Sequence, residues 1–387
     1  MRQVFTADRL WDGSRLVESP VIIVQDGRIV SIASRHEAAL PAGELHAFAG
    51  LTLGPAFFDV HIHGSAGHDV MEATPEALIA IGSFLSSHGV GAYLATTVTA
   101  PMDTTLRSLN GLAKLIEKAP EGAQTRNVSL PIGIHLEGPF LSHAKRGVHP
   151  PELLLAPQID VFDKMFEAAE GHVRLMTLAP ELPGATELAR HATAKGVRVS
   201  VGHSNATAAE TTPVLAAGAT SATHTFNAMR QLDHREPGIL GTVLTRDDLF
   251  AELICDGIHT APELVRLWWK SKGAERAILI TDAMAAAGMP DGEYQLGGFV
   301  VQVANGKATA NGVLAGSVLT LDRALRNFIE FTGASVEDGL RLLGANPAAM
   351  TGFSSKAGSV AVGQPANLVA VDAAGRLVQS IHAGTLV

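Results

Sequence analysis

The sequence predicts an α/β protein: a TIM-like (β/α)8 barrel with a small β-sandwich domain built from both chain termini. Three observations predict this architecture. Between residues 55 and 345, eight apolar β-like runs alternate with helix-like segments, a pattern typical of parallel strands covered by helices. Shorter β-like runs lie at both ends of the chain. The length of 387 residues suits a barrel of about 250 to 300 residues together with a smaller unit.

The two ends of the chain predict a single small domain. Residues 1–54 contain short β-like runs, the clearest being SPVIIVQDGRIVSIAS, in which QDGR predicts a hairpin turn. The last thirty residues, GSVAVGQPANLVAVDAAGRLVQSIHAGTLV, have a similar pattern. Neither segment can bury a core alone, and chain ends often lie close together. We therefore expect residues 1–54 and 346–387 to complete one β-domain beside a catalytic barrel at 55–345.

The eight apolar runs of the barrel have helices between them. The runs are AFFDVHIH, GAYLATTV, PIGIHLEG, VRLMTLAPE, VRVSVGHS, ATSATHTFN, FAELICDGIH and RAILITDAM. Amphipathic segments such as Pro75 to His88 and Ala261 to Lys272 predict helices, whereas the sixth helix is poorly defined. After the eighth run, GEYQLGGFVVQVANGKATANGVLAG predicts a β-hairpin inserted near the substrate.

Composition excludes several classes of partner. The chain has 29 basic and 38 acidic residues, a net charge of −9, which argues against binding to nucleic acid or to an anionic membrane. Any anionic substrate therefore needs a local cluster of positive groups. The polar N-terminus argues against a secretory signal, and no apolar run approaches the roughly 20 residues of a membrane span. With Cys255 as its one cysteine, the protein is expected in the reducing cytoplasm.

Polar residues collect at the carboxyl ends of the predicted strands. Because these ends meet on one face of a barrel, where such enzymes build their active sites, the side chains are expected to converge. Any one of them alone is more often a hydrogen-bonded or solvated residue than a catalytic one. Imidazole and carboxylate groups without thiolate suit Zn²⁺ or Fe²⁺. The residues are His61, His63, Glu137, His203, His224, His259 and Asp282.

Seven motifs carry a resemblance to a known family. They are GIHLEGPFLSHAKRGVHP, VGHSNAT, THTFNAM, REPGILG, DGIHT, LITDAM and GVLAGSVLTLDRALRN. On these motifs the chain resembles, from end to end, the amidohydrolase superfamily and within it the N-acetylglucosamine-6-phosphate deacetylases. HLEGPF together with LAGS is fairly specific to this branch. Other branches often have a carboxylated lysine where Glu137 stands here, which counts against dihydroorotase-like and hydantoinase-like activities.

The resemblance implies metal-dependent hydrolysis of N-acetyl-D-glucosamine 6-phosphate to D-glucosamine 6-phosphate and acetate in amino-sugar catabolism. Glu137, His203 and His224 would hold one essential divalent metal, Zn²⁺ or Fe²⁺. Asp282 would take a proton from the attacking water and deliver it to the departing amine. His149, in RGVHP, would help to stabilise the developing oxyanion.

The histidine pair of the first run leaves the number of metals open. Members of the family differ at this pair, and those that keep it can hold a second metal bridged by the glutamate. Because this chain has His61 and His63, the resemblance favours capacity for two metals. The alternative is that both histidines form a hydrogen-bonding shell around a single-metal site.

The resemblance also implies how a sugar phosphate is recognised. Arg235 and His259 would bind the phosphate, and arginine suits this role because its planar fork can contact phosphate twice. In this family the arginine can come from the neighbouring subunit, which implies a homodimer. Preference between glucosamine and galactosamine epimers stays open. The remaining sugar-binding positions would be Asn227, Ala228, Leu314, Ala315, Gly316 and Ser317.

Two other functions compete with deacetylation of a sugar phosphate. An N-acyl amino acid or cyclic amide hydrolase on the same barrel would need no Arg235 and would accept unphosphorylated amides. A sugar-phosphate sensor on a retired barrel would have no use for a proton shuttle. Asp282 together with a complete set of metal ligands disfavours the sensor.

Overall fold

The computed structural model of the protein describes residues 2–36, 41–119 and 128–387, and a parallel barrel forms the middle of the chain. Its eight strands are neighbours in sequence order. Each overlaps one of the eight apolar runs, so the predicted barrel is confirmed. The strands are Phe57–Ile62, Val90–Thr97, Leu130–Glu137, Val173–Leu178, Arg198–Val201, Ala219–Ala222, Phe250–Ile254 and Ala277–Ile280.

Hydrogen bonds just beyond the eighth strand close the barrel against the first. The backbone N–H of Asp282 donates to the carbonyl of His61 at 2.9 Å, and Ile62 forms an isolated parallel bridge with Ala283. Two residues with predicted catalytic or metal-binding roles are therefore held side by side by the barrel backbone.

Helices cover the outside of the barrel. Several begin at side-chain caps, as at Thr74, and Thr207 forms a reciprocal capping box with Glu210. The sixth helix, which the sequence pattern defines poorly, is short and spans Gly238–Thr245. Within the described ranges, none of the helices is long and apolar enough to cross a bilayer. The others are Pro75–Ser87, Met102–Glu117, Ile159–Ala168, Ala185–Ala194, Ala208–Ala216, Pro262–Arg276, Leu321–Thr332, Val336–Leu343 and Ala345–Thr351.

Strands from both chain ends form one eight-stranded sheet beside the barrel. Glu44–Pro55 joins them, because it pairs in parallel with Arg2–Trp11 and antiparallel with Leu368–Val371. The predicted QDGR turn is present, with Gln25 paired to Arg28. The sheet encloses an apolar cluster of its own. The remaining strands are Leu16–Glu18, Pro20–Gln25, Arg28–Ser34, Leu377–His382 and Thr385–Leu386.

The start of the C-terminal segment packs on the barrel before the chain returns to the terminal sheet. Helix Ala345–Thr351 belongs to the barrel core through Ala348 and Met350, and the ring of Phe353 meets that of Phe58 edge-on at 5.9 Å between centroids. The first residue of this segment in the core of the terminal sheet is Val360.

The insertion after the eighth strand is a four-stranded antiparallel sheet that lies over the barrel mouth. It shares a small apolar cluster with Val98 and Met284 of the barrel loops. The backbone N–H of Gly297 donates to the carboxylate of Asp69 at 2.8 Å and ties the sheet to the first loop. The predicted hairpin thus extends to four strands: Gly292–Leu296, Phe299–Ala304, Lys307–Ala310 and Val313–Leu314.

Candidate active site

A cavity of about 450 Å³ opens at the carboxyl ends of the barrel strands. Its volume lies within the range of pockets that bind small molecules. Three residues of the inserted sheet, Leu296, Val313 and Leu314, form part of its wall. The predicted site residues that line it are His63, Glu137, His149, His203, His224, Asn227, Ala228, His259, Asp282, Leu314 and Gly316.

Three of these residues have an unusual backbone conformation. His203, His224 and Asp282 each lie two residues beyond the last residue of a barrel strand. Their φ angles are +44°, +28° and +50°, in the left-handed region that side chains other than glycine rarely adopt. Each costs on the order of 1–3 kcal/mol, and such residues cluster at functional sites. The repeated conformation at three strand ends indicates a shared role.

Glu137 is the centre of the site, and imidazole rings surround its carboxylate. Oε1 lies 3.3 Å from His61 Nε2, 3.2 Å from His203 Nε2 and 3.0 Å from His224 Nε2. Oε2 lies 3.2 Å from His63 Nε2. All five side chains are buried. Side chains from the ends of the first, third, fifth and sixth strands thus meet at one carboxylate.

In three imidazoles, the partner of Nδ1, the nitrogen that faces away from Glu137, determines whether Nε2, the nitrogen that faces Glu137, carries a proton or a lone pair. Nδ1 of His63 faces the carbonyl of Thr96 at 3.0 Å, and Nδ1 of His203 faces that of Lys145 at 2.9 Å. Because a carbonyl oxygen only accepts, both Nδ1 atoms must donate, and in the neutral ring Nε2 then carries a lone pair. Nδ1 of His61 has a carboxylate partner at 3.2 Å. Three lone pairs therefore point toward Glu137.

His149 has the opposite arrangement. The backbone N–H of Thr99 donates to its Nδ1 at 3.3 Å, so Nδ1 is an acceptor and the proton of the neutral ring lies on Nε2. Burial, together with the nearby imidazole of His203, lowers the pKa of His149 to about 3. The ring therefore stays neutral and offers Nε2–H as a donor, 3.7 Å from Glu137 Oε2. It suits a developing oxyanion better than a metal ion.

The lone pairs and carboxylates of this site fit a divalent metal ion. Without a cation or proton between them, nitrogen lone pairs 3.2–3.3 Å from carboxylate oxygens repel each other. Burial alone would lower the pKa of His63, but Asp282 and Glu137 raise it to about 9. Positive charge is thus strongly favoured there. Ligand atoms of two groups lie within 4.8 Å of one another: His61, His63 and Asp282, and Glu137, His149 and His203.

Comparison with known proteins agrees with this geometry. The model of the Amidohydrolase family matches residues 52–385. The chain belongs to the amidohydrolase family. It is 38% identical to N-acetylgalactosamine-6-phosphate deacetylase of Escherichia coli O157:H7 over 98% of both chains. It is 35% identical to N-acetylglucosamine-6-phosphate deacetylase of Bacillus subtilis (strain 168), over 96% of this chain and 94% of the relative.

Solved structures of related enzymes have the same fold. A mutant N-acetyl-D-glucosamine-6-phosphate deacetylase from Mycobacterium smegmatis, in complex with N-acetyl-D-glucosamine-6-phosphate, superposes with a TM-score of 0.92 at 33% identity. The match covers 100% of this chain and 99% of that one. N-acetylglucosamine-6-phosphate deacetylase from Pasteurella multocida gives a TM-score of 0.91 at 27% identity, with 100% of each chain covered.

Four predicted site residues do not line the cavity. His61 is fully buried and contacts Glu137 instead of the cavity. Ala315 and Ser317 are buried behind the wall, where Ser317 donates its backbone N–H to the carbonyl of Asp282 at 2.7 Å and so supports the strand end. Arg235 is exposed in the loop before the sixth helix and does not reach the cavity of its own chain.

A lysine and an arginine absent from the predicted set line the cavity. Lys145 and Arg146 lie in the loop between Glu137 and His149. Among residues 2–36, 41–119 and 128–387, no carboxylate lies within ion-pair distance of the Lys145 or Arg146 side chain. The sequence held a signal for them, since HAKRGVHP places adjacent bases beside a predicted catalytic histidine in an acidic chain.

His259 completes the positive side of the cavity. Its Nδ1 contacts Asp256 Oδ2 at 2.6 Å. Burial alone would lower the pKa of His259, but the contact with Asp256 raises it. Because the backbone N–H of His259 also donates to Asp256 at 2.8 Å, the ring is fixed on its loop. The cavity thus has two distinct parts. Its metal-binding floor consists of the possible ligands His63, Glu137, His203 and His224, together with His61 buried against Glu137, and its basic wall consists of Lys145, Arg146 and His259.

Proposed function

We propose that the protein hydrolyses the acetamide bond of N-acetyl-D-glucosamine 6-phosphate and releases acetate and D-glucosamine 6-phosphate. The observation that carries the proposal is the division of the imidazoles: lone pairs of His61, His63 and His203 face Glu137, whereas His149 presents a donor. Amide hydrolysis needs both a cation site and an oxyanion donor. The names of the two relatives described above support the substrate class.

Glu137, His203 and His224 would hold an essential divalent metal, Zn²⁺ or Fe²⁺, and His61 with His63 would add capacity for a second. Three protein ligands that leave a position open are typical of hydrolytic metal sites. The contribution of the metal there would be Lewis-acid chemistry, namely polarisation of the acetyl carbonyl and activation of water as a nucleophile. The rest of the chemistry falls to side chains of the protein.

Asp282 is the proton carrier. Burial alone would raise its pKa, but His61 and His63 lower it to about 2, so the carboxylate is ionised at neutral pH and able to accept a proton. It takes one from the water whose oxygen attacks the acetyl carbon. When the carbon–nitrogen bond breaks, it returns that proton to the nitrogen, and the amine leaves neutral. His149 donates Nε2–H to the carbonyl oxygen as negative charge develops there.

The phosphate binds at the basic wall of the cavity. Lys145, Arg146 and His259 line it and supply the positive charge that a chain of net charge −9 otherwise lacks. A charge-assisted hydrogen bond contributes about 1.5–3 kcal/mol, so each contact can change affinity roughly ten- to hundredfold. The alternative substrate, N-acetyl-D-galactosamine 6-phosphate, has the support of the 38% identical relative.

An acetate-release assay tests the substrate. We expect the metal-loaded protein to deacetylate N-acetyl-D-glucosamine 6-phosphate with a kcat/KM at least tenfold, and up to about 10³-fold, above that for N-acetyl-D-glucosamine, because the phosphate adds one or more charge-assisted contacts. The 6-phosphates of both epimers are compared in the same assay. A preference for the unphosphorylated sugar, or release of acetate only from N-acyl amino acids, would refute the proposal.

Arg235 acts across a homodimer in this proposal. It is exposed, and Leu232 in the same loop is 54% exposed, as expected for a loop covered by a second subunit. We expect Arg235→Ala to raise KM for the phosphorylated sugar roughly ten- to hundredfold and to leave kcat on the unphosphorylated sugar nearly unchanged. Equal losses on both substrates would indicate a structural arginine.

Mixed dimers distinguish the two positions of the arginine. Arg235→Ala and Asp282→Asn chains are co-expressed with different tags, and the heterodimer is isolated. If Arg235 reaches the neighbouring subunit, the site with an intact Asp282 receives its arginine from the other chain, and low-KM activity returns at one site per dimer. If Arg235 serves its own chain, neither site is complete and KM stays high.

A further inference from the structure

Glu252 is a buried carboxylate that the proposed chemistry does not use. It lies on the seventh barrel strand, Phe250–Ile254, and its side chain is 0% exposed. It does not line the cavity and so has no route to the substrate. An ionised carboxylate in a barrel interior is costly unless it is paired. Its partners therefore indicate why the barrel contains it.

The contacts of Glu252 lead to the metal-binding floor. Its Oε2 lies 3.2 Å from Nδ1 of His61 and 3.4 Å from the backbone N–H of His224. Its Oε1 has no hydrogen-bond partner within the described residues. The one side chain that Glu252 contacts within hydrogen-bond distance, over the same part of the chain, is thus an imidazole that faces Glu137 on its other edge.

His61 differs from the other imidazoles of the floor in this partner. The far nitrogens of His63 and His203 face backbone carbonyls, and that of His224 has no partner within the described residues. Only for His61, among these four, is the far nitrogen paired with a carboxylate. A carboxylate on the far nitrogen fixes the orientation and tautomer of a metal-binding imidazole and makes it a stronger ligand.

The charges of the barrel interior agree with such a role. Glu137, Asp282 and Glu252 are all at most 8% exposed. Glu137 and Glu252 contact the two ring nitrogens of His61, at 3.3 and 3.2 Å. Buried carboxylates on both sides of this ring favour a cation close by. If Glu252 only filled space, an apolar side chain of similar size would give the protein at least the same stability.

We propose that Glu252 is a positioning residue that makes His61 a ligand and so sets whether the first-strand site of His61 and His63 binds its metal ion. The proposal rests on the two-metal capacity within the proposed function. It assigns Glu252 no contact with substrate. Removing its carboxylate would weaken one metal site and leave the Glu137, His203 and His224 site in place.

Cobalt titration of the metal-free protein tests this role. Co²⁺ is added to the full-length wild type and to Glu252→Gln, and binding is followed by visible absorption and by elemental analysis. We expect two binding phases in the wild type. In Glu252→Gln the weaker phase is expected to lose 10- to 100-fold in affinity, as is typical when the outer partner of a ligand is changed, while the tighter phase stays.

Two further variants make the test specific. Asp59→Asn is the matched control, because Asp59 is equally buried and bonds Thr281 and the backbone N–H of His61 but no imidazole. It is expected to keep both phases. Glu252→Asp keeps the charge but withdraws it from His61, and it should weaken the same phase. This variant carries the test if Glu252→Gln does not fold.

The outcomes separate this inference from the proposed function. Unchanged Co²⁺ affinities in Glu252→Gln, a single phase in the wild type, or equal loss in Asp59→Asn would each overturn the role of Glu252. Deacetylation is measured separately. A wild type that releases no acetate but loses its weaker phase with Glu252→Gln refutes the function and supports the inference. An active wild type with unchanged titration curves does the reverse.

Discussion

Replacing Asp282 by asparagine is expected to lower kcat on N-acetyl-D-glucosamine 6-phosphate by 10²- to 10⁴-fold, the usual cost of removing a general acid–base group. The amide has nearly the same shape but neither accepts a proton from water nor returns one to the amine. His63 Nε2 lies 3.1 Å from Asp282 Oδ1, and asparagine retains an oxygen that can face it. We therefore expect metal content and substrate affinity to change little.

Three measurements check this expectation. Steady-state kinetics give the loss in kcat, elemental analysis gives the metal content, and calorimetry with the substrate gives its affinity in the slow variant. Asp322→Asn is a suitable control, because Asp322 is an aspartate paired with His88 and does not line the cavity. It should keep wild-type turnover. Near-normal turnover in Asp282→Asn would refute Asp282 as the proton carrier.

The barrel was predictable because its strands are continuous apolar runs between amphipathic helices. Strand ends such as HIH, HLE and TDA put polar residues directly after such runs, and barrel geometry brings these ends together. The residues around Glu137 could therefore be grouped from sequence alone. Their different chemical roles could not, because these depend on partners far away in the chain.

The roles of the imidazoles depend on such partners. Thr99 makes His149 a donor, and the carbonyl of Lys145 makes His203 a lone-pair ligand. Glu252 contacts His61 from 191 positions away, and an acidic residue in the middle of the apolar run FAELICDGIH gives no sign of that contact. Backbone hydrogen bonds leave no trace in side-chain patterns, so the structure was needed to distinguish donors from ligands.

The basic wall illustrates a different limit of the sequence. The resemblance drew attention to Arg235, which is exposed, whereas Lys145 and Arg146 line the cavity of their own chain. Basic residues in a loop are usually solvated, so the adjacent bases of HAKRGVHP were only a weak signal in the sequence. The fold strengthens it, because their loop lies between Glu137 and His149 at the barrel mouth.

Replacing His203 by alanine is expected to remove nearly all deacetylase activity. His203 Nε2 lies 3.2 Å from Glu137 Oε1 and 3.1 Å from His224 Nε2, so its loss leaves two of three ligands for the essential metal. Metal ions contribute several kcal/mol to such reactions, which corresponds to a loss on the order of 10³-fold. Acetate release and elemental analysis on the same samples are expected to fall together, and added Zn²⁺ or Fe²⁺ should restore little.

The double variant His61→Ala/His63→Ala should behave differently, because Glu137, His203 and His224 remain as three ligands of one site. We expect up to two metal ions per chain in the loaded wild type, no more than one in the double variant, and measurable acetate release from that variant. If the loaded wild type never exceeds one metal, His61 and His63 form a hydrogen-bonding shell instead. If the double variant is as inactive as His203→Ala, the first-strand site is the catalytic one, and the ranking of the two sites is reversed.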